Sequence, residues 1–429
     1  MKIRKWFEKR GLRFVIKRAS ILLDRYRITP AKAIARIEDN LATLARFGCS
    51  PTFFTPGIVV QRYSRFIQGL QAKGAEIAVH SFQHIDLNSL TLIEAREQLN
   101  KAIKTFNNKG IEGCGFRCPY LSYSDELLES LPTGLFGYSS NKAIWLDGSH
   151  QNQNKGQGVI FSALRRFYNP KSFAETISLP WYRSNMIEVP VCVPDDLQLH
   201  DGLNLDSEGI SQAWIEMLHQ THQRGELFNL IFHPELGSGC KQSFEELLQE
   251  AIRLKPVVWI ARLRDISDWW REKSNFKVKI TPKTTKLNLN FTCTPRATIL
   301  ARGVDKIEAV PIWEGRYHRL QLNTFEVSMN PRPFIGLAEG IPERVVSFLL
   351  EQGYILDNNE TARSCGIYLD NEILTKLPND VELVNYIESS PSPLVRFWRW
   401  PNGAKNALSI TGDLDALTLL DYVSRLFVA

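Results

Sequence analysis

The stretch Ile77-Ala78-Val79-His80-Ser81-Phe82-Gln83-His84 constrains this chain more than any other. Its apolar triplet reads as a buried strand, and two histidines four residues apart follow directly. That spacing predicts both imidazoles on one side of a helical turn, close enough to share a divalent cation. A pair of surface or capping histidines would show the same spacing, so the reading depends on what the other strand ends carry.

Three further stretches end in ionisable groups. Gly115-Phe116-Arg117-Cys118-Pro119-Tyr120 brings an arginine to the end of a short apolar strand that a proline then stops. Leu227 to Phe232 is apolar and runs into His233-Pro234-Glu235. Near the C-terminus, Ala407-Leu408-Ser409-Ile410 leads into Thr411-Gly412-Asp413-Leu414-Asp415, two carboxylates one residue apart. In α/β folds the C-terminal ends of strands are where reacting groups collect.

Together these stretches resemble the polysaccharide deacetylase family, the NodB-homology domain of carbohydrate esterase family 4. His80-Ser81-x-x-His84 is similar to its metal-binding histidine motif, Arg117-x-Pro119-Tyr120 to its arginine-proline motif, and Ile231-Phe232-His233 to its late Leu-x-His motif. The family's opening Thr-Phe-Asp-Asp-Gly motif has no match before His80. Its best match, Ile410-Thr411-Gly412-Asp413-Leu414-Asp415, comes last, in an Asp-x-Asp form that resembles some peptidoglycan-deacetylase and allantoinase-like relatives. The resemblance implies a distorted (β/α) barrel, here circularly permuted, with the C-terminal strand entering beside Thr52–Thr55. Two alternatives stand beside permutation: a tail swapped into a second subunit, making a homodimer the active form, or a tail that belongs elsewhere.

For an assembled site the chemistry assigns roles. Asp415, His80 and His84 hold one divalent ion, with zinc expected from two imidazoles and a carboxylate, and cobalt, nickel or iron also compatible. Asp413 is the base that takes a proton from water, and the resemblance gives Arg117 the task of orienting it. His233 protonates the departing amine, and the Tyr120 backbone amide faces the oxyanion. The expected reaction is metal-dependent hydrolysis of an N-acyl group, most simply acetyl, from an amino sugar or glycoconjugate. An allantoinase-like amidase and a non-catalytic glycan-binding protein on a deacetylase scaffold are the alternatives.

The 429 residues, 44% hydrophobic and 23% charged, suffice for two or three domains with cores. We expect a basic arm over 1–27, the barrel over 28–273, a β-rich accessory module over 274–399, and the completing strand and helix over 400–429. The arm holds ten Lys or Arg against Glu8 and Asp24. It reads as a solvated helix face or a contact to anionic lipid at a membrane periphery. Its apolar runs are too short for a signal peptide, and no later stretch reaches the length of a membrane span, so a cytoplasmic site without nucleic-acid contacts is expected. The seven cysteines are scattered and odd in number, which suits a reducing compartment.

In chain order, Thr29-Pro30 opens a helix to about Phe47 with an apolar stripe at Ile34, Ile37, Leu41, Leu44 and Ala45, and Gly48 ends it. Thr91-x-x-Glu94 has the spacing of a capping box. Residues 139–180 read as a long loop over the site, with Trp145 and the Trp181-Tyr182 pair offering aromatic faces for sugar rings or packing into a core. Pro194-Asp195-Asp196 reads as a turn, and His219 and His222 read as surface residues of a helix. From Phe276 alternating apolar and polar runs predict a small β-rich module.

Overall fold

The alternation of apolar strands with amphipathic helices builds a mixed α/β fold around one large curled sheet. The computed structural model describes residues 27–146, 168–183, 186–236, 240–305, 307, 310, 312–321 and 323–424. The basic arm, apart from Arg27, lies outside the described residues, as do 147–167 of the expected loop and the last residues of the tail. No described helix is long and apolar enough to cross a membrane.

Along the first part of the chain the strands are β1 Thr52–Thr55, β2 Glu76–Val79, β3 Gly115–Phe116, β4 Tyr138–Ser139, β5 Ala143–Trp145, β6 Lys171–Ser172, β7 Trp181–Arg183, β8 Met186–Glu188, β9 Val191–Val193, β10 Leu227–Phe232 and β11 Val258–Ile260. The accessory strands are β12 Lys277–Pro282, β13 Lys286–Thr292, β14 Ile299–Arg302, β15 Ile312–Glu314, β16 Tyr317–Leu320, β17 Thr324–Ser328, β18 Arg332–Leu337, β19 Leu356–Asp357, β20 Cys365–Leu369 and β21 Leu394–Phe397, and the tail supplies β22, Asn406–Asp413. The large sheet runs β6-β5-β9-β10-β22-β1-β2-β3-β4-β8-β7, with β11 pairing beside the start of β22. It is therefore open between β6 and β7, and the expected barrel is only partly closed.

The C-terminal strand occupies the middle of this sheet. It pairs in parallel with β10 from Leu227↔Ala407 to Phe232↔Gly412, and with β1 from Thr52↔Thr411 to Phe54↔Asp413. Period-two alternation sorts its side chains. Leu408 and Ile410 join the core shared with the helices Ala31–Ala45, Gly57–Ala72, Leu92–Asn108, Ser207–Arg224 and Cys240–Arg253. Ser409, Thr411 and Asp413 therefore face the other side, the concave one. Gly412 is required where β10 and β1 converge, because a Cβ there would stand 2.7 Å from Pro234 Cγ and 2.9 Å from Phe53.

Local signals in the helices match the structure closely. Ala31–Ala45 buries Ile37, Leu41 and Leu44, whereas Ala45, at the helix end, is exposed and leaves the stripe; Gly48 follows at φ +66°. Thr91 and Glu94 form both halves of the capping box. His219 pairs with Glu250 at the surface as expected. His222 is a correction: it is buried and its Nε2 bonds the Pro256 carbonyl at 2.8 Å, and burial holds its imidazole below the usual histidine range. The stretch 139–180 is also corrected, since β5 and β6 lie within it.

The β-rich part forms three small sheets, β12-β13-β17 and β15-β16-β14-β21, both antiparallel, and β19-β18-β20, which is parallel. Lys273, from the helix Leu263–Ser274, is buried between these elements over the Trp270 ring and donates to the Glu351 carbonyl. Burial, with Arg396 and Arg399 adding and Glu351 opposing, pushes its ammonium down to about 7. A folded value below the unfolded one means stability is lost as pH falls from the unfolded lysine range toward 7. Lys273→Met is therefore expected to stabilise the fold by roughly 1–4 kcal/mol at neutral pH. The gain should vanish near pH 10.5. Urea midpoints across pH 6–10 check this; a gain that is constant with pH would rule out a charge origin.

Candidate active site

His80 is the first residue beyond β2, its amide still bonded to the Thr55 carbonyl. The histidine pair does not lie on a helical turn, contrary to the spacing argument. Ser81 adopts φ +64°, and the chain bends through Phe82–His84, pinned by Ser81 and Phe82 carbonyls that accept the Gly57 and Ile58 amides. This bend still brings the rings together, with centroids 5.0 Å apart. His80 Nδ1 donates to the Arg117 carbonyl at 2.9 Å. A carbonyl can only accept, so Nε2 is the nitrogen left to bind an ion, and it is fully buried with no hydrogen bond.

Asp413 and Asp415 arrive at the same place from β22. Asp415 Oδ1 lies 3.1 Å from His84 Nε2 and 3.7 Å from His80 Nε2, and Asp413 Oδ2 is also 3.7 Å from His80 Nε2. One atom each from His80, His84 and Asp415 falls within 4.8 Å of the others. Imidazole lone pairs and carboxylate oxygens converging in a buried place repel one another unless a cation sits among them. Two imidazoles, one carboxylate and a buried, unbonded Nε2 therefore fit a divalent ion.

Arg117 is completely buried at the end of β3 and organises the other side of Asp413. Its Nη1 donates to Asp413 Oδ1 at 2.8 Å, its Nη2 to Ser140 Oγ and Thr411 Oγ1 at 3.1 Å, and its Nε to the Ser140 carbonyl at 3.0 Å. The guanidinium lies 4.0 Å from the Phe54 ring centroid. One oxygen of Asp413 is thus committed to a cation while the other points at the ion-ligand cluster.

His233 follows β10, whose last residue pairs with Gly412, so it stands across from Asp413. Asp196 grips it twice, accepting from its amide at 2.9 Å and from Nδ1 at 2.8 Å. Neighbouring Asp195 accepts from the Tyr168 hydroxyl and the Gln198 amide. Burial, with Asp196 adding and His233 opposing, raises the Asp195 carboxyl to about 6. A sequence reading of Pro194-Asp195-Asp196 as a turn missed this orienting carboxylate. The signal was present, since the pair follows the apolar strand Val191–Val193 after a single proline. Ser140, Asn141 and Glu188 were missed as well: Asn141 accepts the Cys118 amide, and Glu188 accepts the amides of Asn141 and Lys142.

Tyr120 sits in a short turn at φ +60°, 43% exposed, with its ring edge-on to His84 at 4.5 Å. Trp145 is a correction to the sugar-stacking expectation. It is a β5 residue 1% exposed, packed with Leu121, Val191, Val193 and Ile231, so neither face is open to a ligand. All seven cysteines are free thiols.

Among solved structures, the chain is similar to one from Mycobacterium smegmatis described as a polysaccharide deacetylase, at 20% identity over 59% of this chain and 80% of that one, TM-score 0.43. It is also similar to one from Pseudomonas aeruginosa PAO1 described likewise, at 18% identity over 55% and 72%, TM-score 0.43. A third is the peptidoglycan deacetylase PdaC of Bacillus subtilis, at 15% identity over 56% and 87%, TM-score 0.33. No curated protein matches the sequence. Residues 34–133, which carry His80, His84, Arg117 and Tyr120, match the family model for polysaccharide deacetylase.

Proposed function

We propose that this protein is a metal-dependent hydrolase that removes an N-acyl group, acetyl in the simplest case, from an amino sugar. The observation that carries the reading is the convergence of His80, His84 and Asp415 beside the Arg117-held Asp413. We read residues 28–273 and the tail as one catalytic unit, circularly permuted so that the first motif comes last, and completed within a single chain.

A divalent ion held by Asp415, His80 and His84 would polarise the acyl oxygen and make water a better nucleophile near neutral pH. The remaining work falls to the chain. Asp413 accepts the proton of the attacking water, with Arg117 fixing its orientation. His233, held by Asp196 through Nδ1, presents Nε2 to the leaving nitrogen and gives it a proton, because an amide nitrogen cannot depart as an anion. The Tyr120 amide stabilises the developing negative charge on the acyl oxygen. Base and acid come from neighbouring strand ends, β22 and β10, one on each side of the reacting carbon.

Incubating the zinc-loaded protein with N-acetylglucosamine oligomers should release acetate and an equal quantity of primary amine, and a chelator should stop both. Turnover of allantoin with no acetate from any N-acetylated sugar would replace this reading with the amidase one.

A further inference from the structure

Next to the ion-ligand cluster a cavity of about 480 Å3 is lined by Tyr120 and Tyr168 together with Asn88, Tyr123, Lys142 and Lys171. Tyr120 contacts His84 and Tyr168 donates to Asp195, so the cavity reaches both halves of the site. Its aromatic and amide groups suit a sugar ring. Its two lysines do something more specific.

Neither Lys142 nor Lys171 makes an ion pair or a side-chain hydrogen bond among the described residues. The carboxylates around them are already engaged: Asp125 pairs with Arg183, and Glu188 takes the Ser139 hydroxyl and two backbone amides. Lys142 Nζ instead rests 4.6 Å from the Trp181 ring centroid. Burial, joined by Lys171 and Arg183 and opposed by Glu188 and Asp380, holds its ammonium below the usual lysine range. Two neighbouring cations with no ion-pair partner among the described residues, one of them largely withdrawn from water, repel each other, and an arriving anion would relieve that repulsion.

We propose that the cleft selects N-acyl sugars bearing an anionic group, a carboxylate or a phosphate, and that Lys142 and Lys171 bind that group. The inference rests on the deacetylase reading for the sugar, and on the unpaired lysines for the charge. It makes the lysines specificity residues, acting on binding rather than on the acyl carbon.

The test is calorimetric binding to the zinc-loaded full-length protein, using N-acetylglucosamine, its 1-phosphate and N-acetylmuramic acid. At least one anionic sugar should bind about tenfold or more tightly than the neutral one. That preference should shrink as salt rises. In a Lys142→Met, Lys171→Met double variant the preference should fall to about one, whereas Lys142→Arg, Lys171→Arg should keep it. Preference for the phosphate alone identifies a sugar phosphate, and for the carboxylate alone an acidic sugar. Equal affinity for all three, no binding of any, or a preference that survives the Met substitutions overturns the proposal. Lysine-dependent binding without acetate release would instead overturn the deacetylase reading alone, and equal acetate release from neutral and anionic sugars would overturn the lysine assignment alone.

Discussion

Asp413→Asn is expected to lower kcat by about 10²–10⁴-fold while leaving bound metal nearly unchanged. Asparagine keeps the shape of the side chain, and its carbonyl oxygen can still accept from Arg117 Nη1, now 2.8 Å from Oδ1. What it loses is the ability to take a proton. The ion-ligand cluster of His80, His84 and Asp415 remains in place. Steady-state acetate release and metal analysis on one preparation check this, and an unchanged kcat would remove Asp413 from the mechanism.

Arg117→Met should be the more damaging change to the fold. It would leave Asp413 nearly buried without its cation, and the Ser140 carbonyl and Thr411 Oγ1 without their donor. Removing one member of a buried ion pair costs on the order of 3–5 kcal/mol, and activity should disappear with it. Arg117→Lys should recover little, because a lysine ammonium cannot serve in a planar fork the three side-chain acceptors and the carbonyl that the guanidinium spans. Urea denaturation reads the first effect; a loss below about 1 kcal/mol would mean that the network is dispensable.

Much of the site lay within reach of sequence because its groups sit directly after apolar strands. His80, Arg117, His233 and Asp413 were all singled out on that basis. Details that depend on backbone conformation were not legible. The 80–84 spacing suggests a helical turn, yet the rings meet through a bend that begins at Ser81 with positive φ, a conformation a serine does not advertise. Asp196 looks like a turn residue because Pro194-Asp195-Asp196 has turn composition. Its importance comes from β9 packing beside β10, a pairing with no local signature. Trp145 was misjudged because a strand of three residues inside a polar segment shows too little periodicity.

The position of β22 depends on long-range pairing in the same way. Its apolar run and two carboxylates were visible, while its neighbours β10 and β1 precede it by about 180 and 360 residues, a distance no local pattern bridges. All eight residues of β22 are buried in the centre of the sheet. Deleting the tail would therefore dismantle the fold along with the site, and a point change is the sharper tool.

The central claim is that this tail completes a metal site with His80 and His84, and bound metal in the full-length protein and in Asp415→Ala tests it most directly. After zinc loading and exhaustive dialysis, the wild-type chain should retain about one equivalent. The variant, with an unchanged circular dichroism spectrum, should retain far less. Equal metal in the two proteins, or none in the wild type, would contradict the account.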